Sequence, residues 1–303
     1  MHALIQGNIL MGLLAAILWG GGDFSGGMGA KCAGGSLRAT LRVILVSHFS
    51  SFCILLLIES LLRNPFPHGA PLFWGLAAGV AGGLSLTGFY IALARGAMGA
   101  PAALSGLLAA AVPATVAIVI DGSPGTLPLL GFIVAGIAIW IIAAAPTGAL
   151  ESSVPQAAST MILSIISGAG FGLYFVCLKY AGAAGIVWPM ATARMGSLTT
   201  CTILLLLLSS SSAAASPGST VHTAKLPKSA ILWSVSTAVL DTGGNLFYIS
   251  AARAGRMDVA AVLASLYPAT TILLAGWVLK ERLSRRQSFG MAVAAAAVLM
   301  ITL

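Results

Sequence analysis

Charge is what this sequence has least of. Only 7% of its 303 residues are Asp, Glu, Lys or Arg, against about 25% in a soluble domain. A water-facing surface cannot be built from so few, which excludes a soluble globular protein. Alternating segments of about ten residues are also missing, and they are what a membrane β-barrel requires. The four cysteines, Cys32, Cys53, Cys177 and Cys201, show no paired spacing and fall in or at the ends of apolar runs. They read as small buried hydrophobes, not as disulfides or metal ligands. Of the four histidines, His2, His68 and His222 are terminal or in loops and His48 stands alone. An intramembrane enzyme acting on lipid-linked substrates would need a grouped reactive set, so no catalysis, metal or cofactor is expected. There is no Walker motif, which leaves ATP-driven transport by this chain without support. No Lys or Arg precedes the first apolar run, "MHALIQGNILMGLLAAILWG". It therefore reads as a retained span, since a cleavable leader carries a basic start.

What is present is apolar surface: 58% hydrophobic residues and a mean hydropathy of +1.01. This is the composition of an all-α polytopic membrane protein with lipid as its solvent. The net charge of +8 is spread over loops. It reads as topology and headgroup contact, not as a nucleic-acid surface. A span needs about 20 apolar residues. Runs bounded by charge, proline and polar clusters place ten transmembrane helices near 8–30, 39–62, 72–94, 100–120, 128–146, 159–180, 187–208, 230–252, 259–279 and 284–303. Two connections are longer, at 146–159 and at 209–229, and the second is Ser/Ala-rich and reads as a flexible surface loop. Trp74, Trp188, Trp233 and Trp277 lie near span ends, as an aromatic belt does.

The two halves repeat. "FYIALARGAMG" (89–99) resembles "FYISAARAGRM" (247–257), and each precedes a helix carrying "PAT", at Pro113–Thr115 and Pro268–Thr270. "ATLR" (39–42) matches "ATAR" (191–194), and the first and sixth spans end in Lys31 and Lys179. Residues 1–150 and 151–303 are thus expected to be two five-helix repeats. Five is odd, so the second inserts upside down, the inverted-repeat plan of many secondary transporters with a site near the midplane. Lys31, Arg38, Arg42, Arg95, Lys225, Lys228, Lys280, Arg282, Arg285 and Arg286 fall on the side away from the termini; Arg63, Lys179, Arg194, Arg253 and Arg256 share the termini's side. The positive-inside rule then favours external termini.

The last 55 or so residues carry the most specific pattern, "YISAARAGRMDVAAVLASLYPATTILLAGWVLKERLSRRQSFGMAVAAAAVLMI" (248–301). It resembles the C-terminal signature of EamA-type members of the drug/metabolite transporter superfamily, with an "LYP"-like segment, a turn here written "LKER", and a final apolar helix. "WGGGDFSGG" is similar to the start of one branch of that family. The resemblance implies ten helices, termini on one side, a cavity formed by helices 1–4 and 6–9, and peripheral helices 5 and 10. It also implies transport of small metabolites or drugs, commonly outward across a bacterial inner membrane. "DGSPGT" (121–126) departs from the Gly-Glu-Arg turn frequent in the first half.

Residues that occur in both halves read as scaffold: Lys31 with Lys179, Arg42 with Arg194, Arg95 with Arg253. Cations at helix ends snorkel or meet the negative helix terminus. Arg42 and Arg194 lie deeper and are the candidates among them for an anionic group of a substrate. Asp23 and Asp241 break the repeat, standing opposite positions near Phe171 and Gly83, and are the only acids well inside the spans. An intramembrane acid is a functional candidate by default. It can contact a substrate amine or exchange a proton; the alternative is a hydrogen-bonded packing residue. Counting 1.5 Å per residue puts both at similar depth from one face, about 10 and 16 Å. Ser234, Thr237, Asn245 and Tyr248 fall on the Asp241 face of an otherwise apolar helix. Trp19, Tyr90, Tyr174, Tyr248 and Tyr267 are candidate aromatic walls. Gly22 and Gly26, in small-xxx-small spacing, read as helix packing or a bend, and Pro113 and Pro268 as kinks. The expectation is a secondary transporter of small, amino-acid-like metabolites in a lipid bilayer, with protons as a candidate coupling ion. A non-transporting structural membrane protein is the other class, and would not require buried acids.

Overall fold

The computed structural model describes residues 2–95, 98–143, 154–215, 225–280 and 284–302. Among these there are eleven α-helices and no strand: α1 His2–Cys32, α2 Leu37–Leu62, α3 Ala70–Ala94, α4 Gly99–Asp121, α5 Thr126–Ala143, α6 Val154–Ala181, α7 Val187–Ala215, α8 Lys228–Ala254, α9 Met257–Ala264, α10 Tyr267–Val278 and α11 Arg285–Thr302. Helices are the expected solution, because in hydrocarbon each backbone N–H and C=O must be satisfied within its own segment. Among the described residues, 7 segments are long and apolar enough to cross a membrane: Gly7–Cys32, Leu37–Leu62, Ala70–Ala94, Pro101–Asp121, Ala158–Ala184, Val187–Ser210 and Met257–Val278. The chain is an integral, multi-pass membrane protein. α8 falls outside this set although it has 27 residues. Its Ser, Thr, Asp and Asn side chains dilute its apolar character.

Two departures from the sequence reading have local causes. The ninth expected span is broken between α9 and α10. Pro268 has no N–H to give to Ala264, and its ring opposes that carbonyl. The chain instead closes tighter bonds, Leu266 N to Leu263 O at 3.2 Å and Ala269 N to Leu266 O at 3.0 Å. α4, by contrast, runs on through Pro113. The expected loop from residue 209 begins later, because α7 continues to Ala215. Alanine is the best helix former, and Ser209 and Ser210 turn their hydroxyls back onto Leu205 O (2.8 Å) and Leu206 O (3.0 Å). The turn at "LKER" includes Glu281 and Arg282, which lie outside the described residues.

The first five helices pack more extensively on the later ones than among themselves. α1 lies along α8 and α3 along α6; α2 meets α7, α5 meets α11, and α4 meets α6 as α9 and α10 meet α1. Large apolar side chains such as Leu61, Val119, Leu206 and Trp277 are exposed on the outside, where lipid takes the place of water. Of the other belt tryptophans, Trp188 donates to Asn64 O (3.2 Å), Trp74 packs on Tyr180, and Trp233 meets Phe24 edge to face. Lys179, at the end of α6, donates to Ala252 O in the last turn of α8 at 2.6 Å. This is a cation placed on a negative helix end. Arg256, between α8 and α9, holds Asp258 with two nitrogens and reaches Gly122 O at 2.7 Å, tying two loops together. The Asp258 hydrogen bonds raise the Arg256 pKa above its ordinary value.

Candidate functional site

α1 and α8 cross where each carries its acid. Gly22 makes this possible: a Cβ there would stand 3.3 Å from Asp241 N and 3.4 Å from its Cβ. Small residues allow such backbone approach in lipid. Asp241 lies midway between Lys228 and Ala254, about 20 Å from either end of α8 at 1.5 Å per residue.

Around this crossing is a cavity with about 500 Å³ of space free of protein atoms, counting its open part. Its wall includes Trp19 and Asp23 from α1, His48 from α2, Gly79, Gly82 and Leu86 from α3, and Phe171, Tyr174 and Phe175 from α6. α7 supplies Ala193, Arg194 and Ser197, α8 supplies Asp241, and the start of α10 supplies Tyr267. Trp19 stacks flat on Phe175 with ring centroids 4.8 Å apart, and Tyr248 closes behind both at 5.5 and 4.9 Å. The result is a rigid aromatic floor beside a small set of charges.

Arg194 and Asp241 form an ion pair, their side chains 4% and 17% exposed. Such a pair requires further hydrogen bonds to hold in low dielectric, and they are present. Arg194 Nε donates to Ser51 Oγ at 2.9 Å, Ser51 lies 2.6 Å from Thr242 Oγ1, and Thr242 donates to Ala238 O at 2.5 Å. Thr242 gives its one proton to Ala238 O, so Ser51 donates to Thr242 while accepting from arginine, and the chain of donors runs in one direction. His48 Nδ1 and Ser197 Oγ share a bond of 2.6 Å. On the other side of Asp241, Tyr174 OH donates to Asn245 Oδ1 (2.6 Å), and Asn245 Nδ2 donates to Asp241 O (2.7 Å). Asp23 faces the same cavity and lies within electrostatic reach of Asp241. Among the described residues its carboxylate has no hydrogen-bond donor and no ion-pair partner.

The candidates from the sequence therefore separate. Trp19, Asp23, Arg194 and Asp241 line the cavity. Asn245 supports Asp241 from behind, and Tyr248, fully buried, donates to Phe175 O at 3.1 Å. Thr237 turns to α1, reaching Gly22 O at 3.3 Å, and Ser234 bonds back to Ala230 O at 2.7 Å. Arg42 is half-buried in α2 and does not line the cavity. Gly26 lies under the Tyr90 ring, which occupies the place a Cβ would take. Pro113 is inside α4 and Pro268 in the first turn of α10. Sequence reasoning missed His48 and Ser51. A lone His or Ser in an apolar run is a weak signal, and only their partners across the bundle give them meaning. Tyr174→Phe is expected to leave Asn245 Oδ1 short of a donor and to lower stability by about 1 kcal/mol, read as a lower melting temperature in detergent with helicity unchanged.

The helices thus hold two carboxylates and a guanidinium around one cavity near the middle of α8. Residues 181–303 match the profile of the EamA-like transporter family. This is a transporter family, not a family of enzymes. A solved structure described only as "Crystal structure of protein" shares the fold, with a TM-score of 0.69 at 14% sequence identity. That likeness covers 97% of this chain and 96% of the other. No curated protein matches the sequence significantly.

Proposed function

We propose that the protein is a secondary transporter of ten spans, arranged as inverted five-helix repeats over residues 1–150 and 151–303. It moves a small metabolite bearing an amino group by alternating access, outward across a bacterial inner membrane, with protons as the coupling ion. The observation that carries this reading is the convergence of Asp23, Asp241 and Arg194 on one cavity at mid-depth. Charges in that position are expensive, and they are retained where a solute or ion passes. The helix pairings support the repeat: exchanging the first five helices for the later ones turns α1 against α8 into α6 against α3. Binding near the midplane between repeats is the general transporter arrangement.

The test is counterflow in proteoliposomes over a panel of amino acids, amines and small organic acids, with and without a pH gradient. Asp241→Asn is expected to keep the fold and to lower flux at least tenfold or abolish its pH dependence. Wild-type flux and pH response in both Asp241→Asn and Asp23→Asn would remove the acids from the mechanism. No flux with any member of the panel, together with turnover of a lipid-linked substrate, would replace the transporter by an enzyme.

A further inference from the structure

The cavity wall does not balance its charge. Two carboxylates, Asp23 and Asp241, face one guanidinium, Arg194. That guanidinium is already engaged on two sides, by Asp241 and by Ser51. Asp23 is left without a partner among the described residues. His48 shares its Nδ1 with Ser197 and lines the same wall as Arg194. The pocket is thus short of one positive charge, in surroundings where an unpaired carboxylate is costly.

We infer that the cavity takes a monocationic amine carried on a flat apolar body, with the ammonium between Asp23 and Asp241 and the body on Trp19 and Phe175. The inference rests on the transporter reading and narrows its substrate class. A zwitterion with the same body is disfavoured. Its carboxylate has one cation to bind, Arg194, and taking it would strip Asp241 of its partner and leave two wall carboxylates to share one ammonium. An anion meets the same obstacle with no ammonium at all. The aromatic floor adds to the preference, because an ammonium near ring faces is attracted by the ring quadrupole while the apolar body buries against them.

Three probes share one ring and a short carbon arm and differ in charge: phenethylamine, phenylalanine and 3-phenylpropionate. Equilibrium binding of each is measured to the full-length protein in lipid nanodiscs, where no flux is needed. Phenethylamine is expected to bind at least tenfold more tightly than phenylalanine, and phenylpropionate more weakly still. Asp23→Asn is expected to weaken phenethylamine at least tenfold, with its melting temperature confirming a folded protein. The wild-type ranking stands as a test even where that variant fails to fold. Phenylalanine or phenylpropionate binding as tightly as phenethylamine overturns the inference, as does the absence of binding by all three. So does unchanged amine binding in a folded Asp23→Asn. Proteoliposome flux of zwitterions or acids alongside any of those results discards the inference and leaves the transporter standing. Only the absence of flux across the whole panel discards the transporter reading itself.

Discussion

Arg194→Met is expected to abolish flux and to destabilise the folded protein by about 3–5 kcal/mol, the cost of removing one partner from a buried ion pair. The substitution keeps an unbranched apolar stem and removes the guanidinium, so the loss reports on the charged group. Without it Asp241 loses its ion-pair partner while Asp23 still lines the same cavity, and Ser51 loses the donor it receives from Arg194 Nε. The double variant Arg194→Met with Asp241→Leu separates stability from function. A buried pair replaced by apolar groups of similar volume is often neutral or stabilising. The double variant should therefore regain most of the lost melting temperature in detergent while flux stays absent. Wild-type melting and wild-type flux in Arg194→Met alone would show that the pair supports neither.

Gly79→Ala is expected to be the most damaging single-methyl change in the bundle. A Cβ at Gly79 would fall onto Ala193 O and near Ser197 N, both backbone atoms of α7. A side chain can rotate away from an added methyl, but a helix backbone cannot. α3 and α7 must separate, and overpacking of this kind costs about 1–3 kcal/mol. The damage also reaches the site, since the backbone it displaces carries Arg194 between the two contacted residues. Gly136→Ala is the control. Its Cβ would meet only the Leu107 side chain, at an ordinary 3.5 Å, and is expected to leave the melting temperature unchanged or slightly raised. Equal melting temperatures for the two variants would rule out close packing as the reason for Gly79.

The contrast between these two glycines shows what a sequence of this kind makes legible. Helix limits follow from composition: the apolar runs placed near 39–62, 187–208 and 230–252 appear as α2, α7 and α8, each extended by a few residues. The ends are legible because leaving the bilayer requires charge, proline or a polar cluster. The faces are less so. Ser234, Thr237 and Asp241 share a stripe by spacing, yet α8 is surrounded by neighbours. Thr237 therefore meets α1, and Asp241 meets α7 and the cavity. Pairing across the bundle is not legible at all. Arg194 and Asp241 are 47 positions apart. Their bond depends on how α7 and α8 are rotated, which glycines such as Gly79 and Gly22 set through contacts with third helices. The acids could be found because charge in lipid is conspicuous. Their partners His48 and Ser51 could not, because one polar residue in an apolar helix has many innocent explanations.

The interruption between α9 and α10 has an electrostatic consequence. A helix broken inside the bundle has two new ends there, and α10 begins with its positive dipole end, roughly half an elementary charge. Its first turn touches α1 at Gly20 through Tyr267 and Thr270, and one residue on Thr271 donates to the Gly20 carbonyl at 3.2 Å, about one helical turn from Asp23. A peptide dipole cannot titrate, swing away or be carried off by a solute, as a lysine at that position could. Tyr267, which opens α10, lines the same cavity as Asp23. The start of a broken helix is thereby part of the cavity's fixed scaffold, with the opposite end of α9 separated from it by two residues.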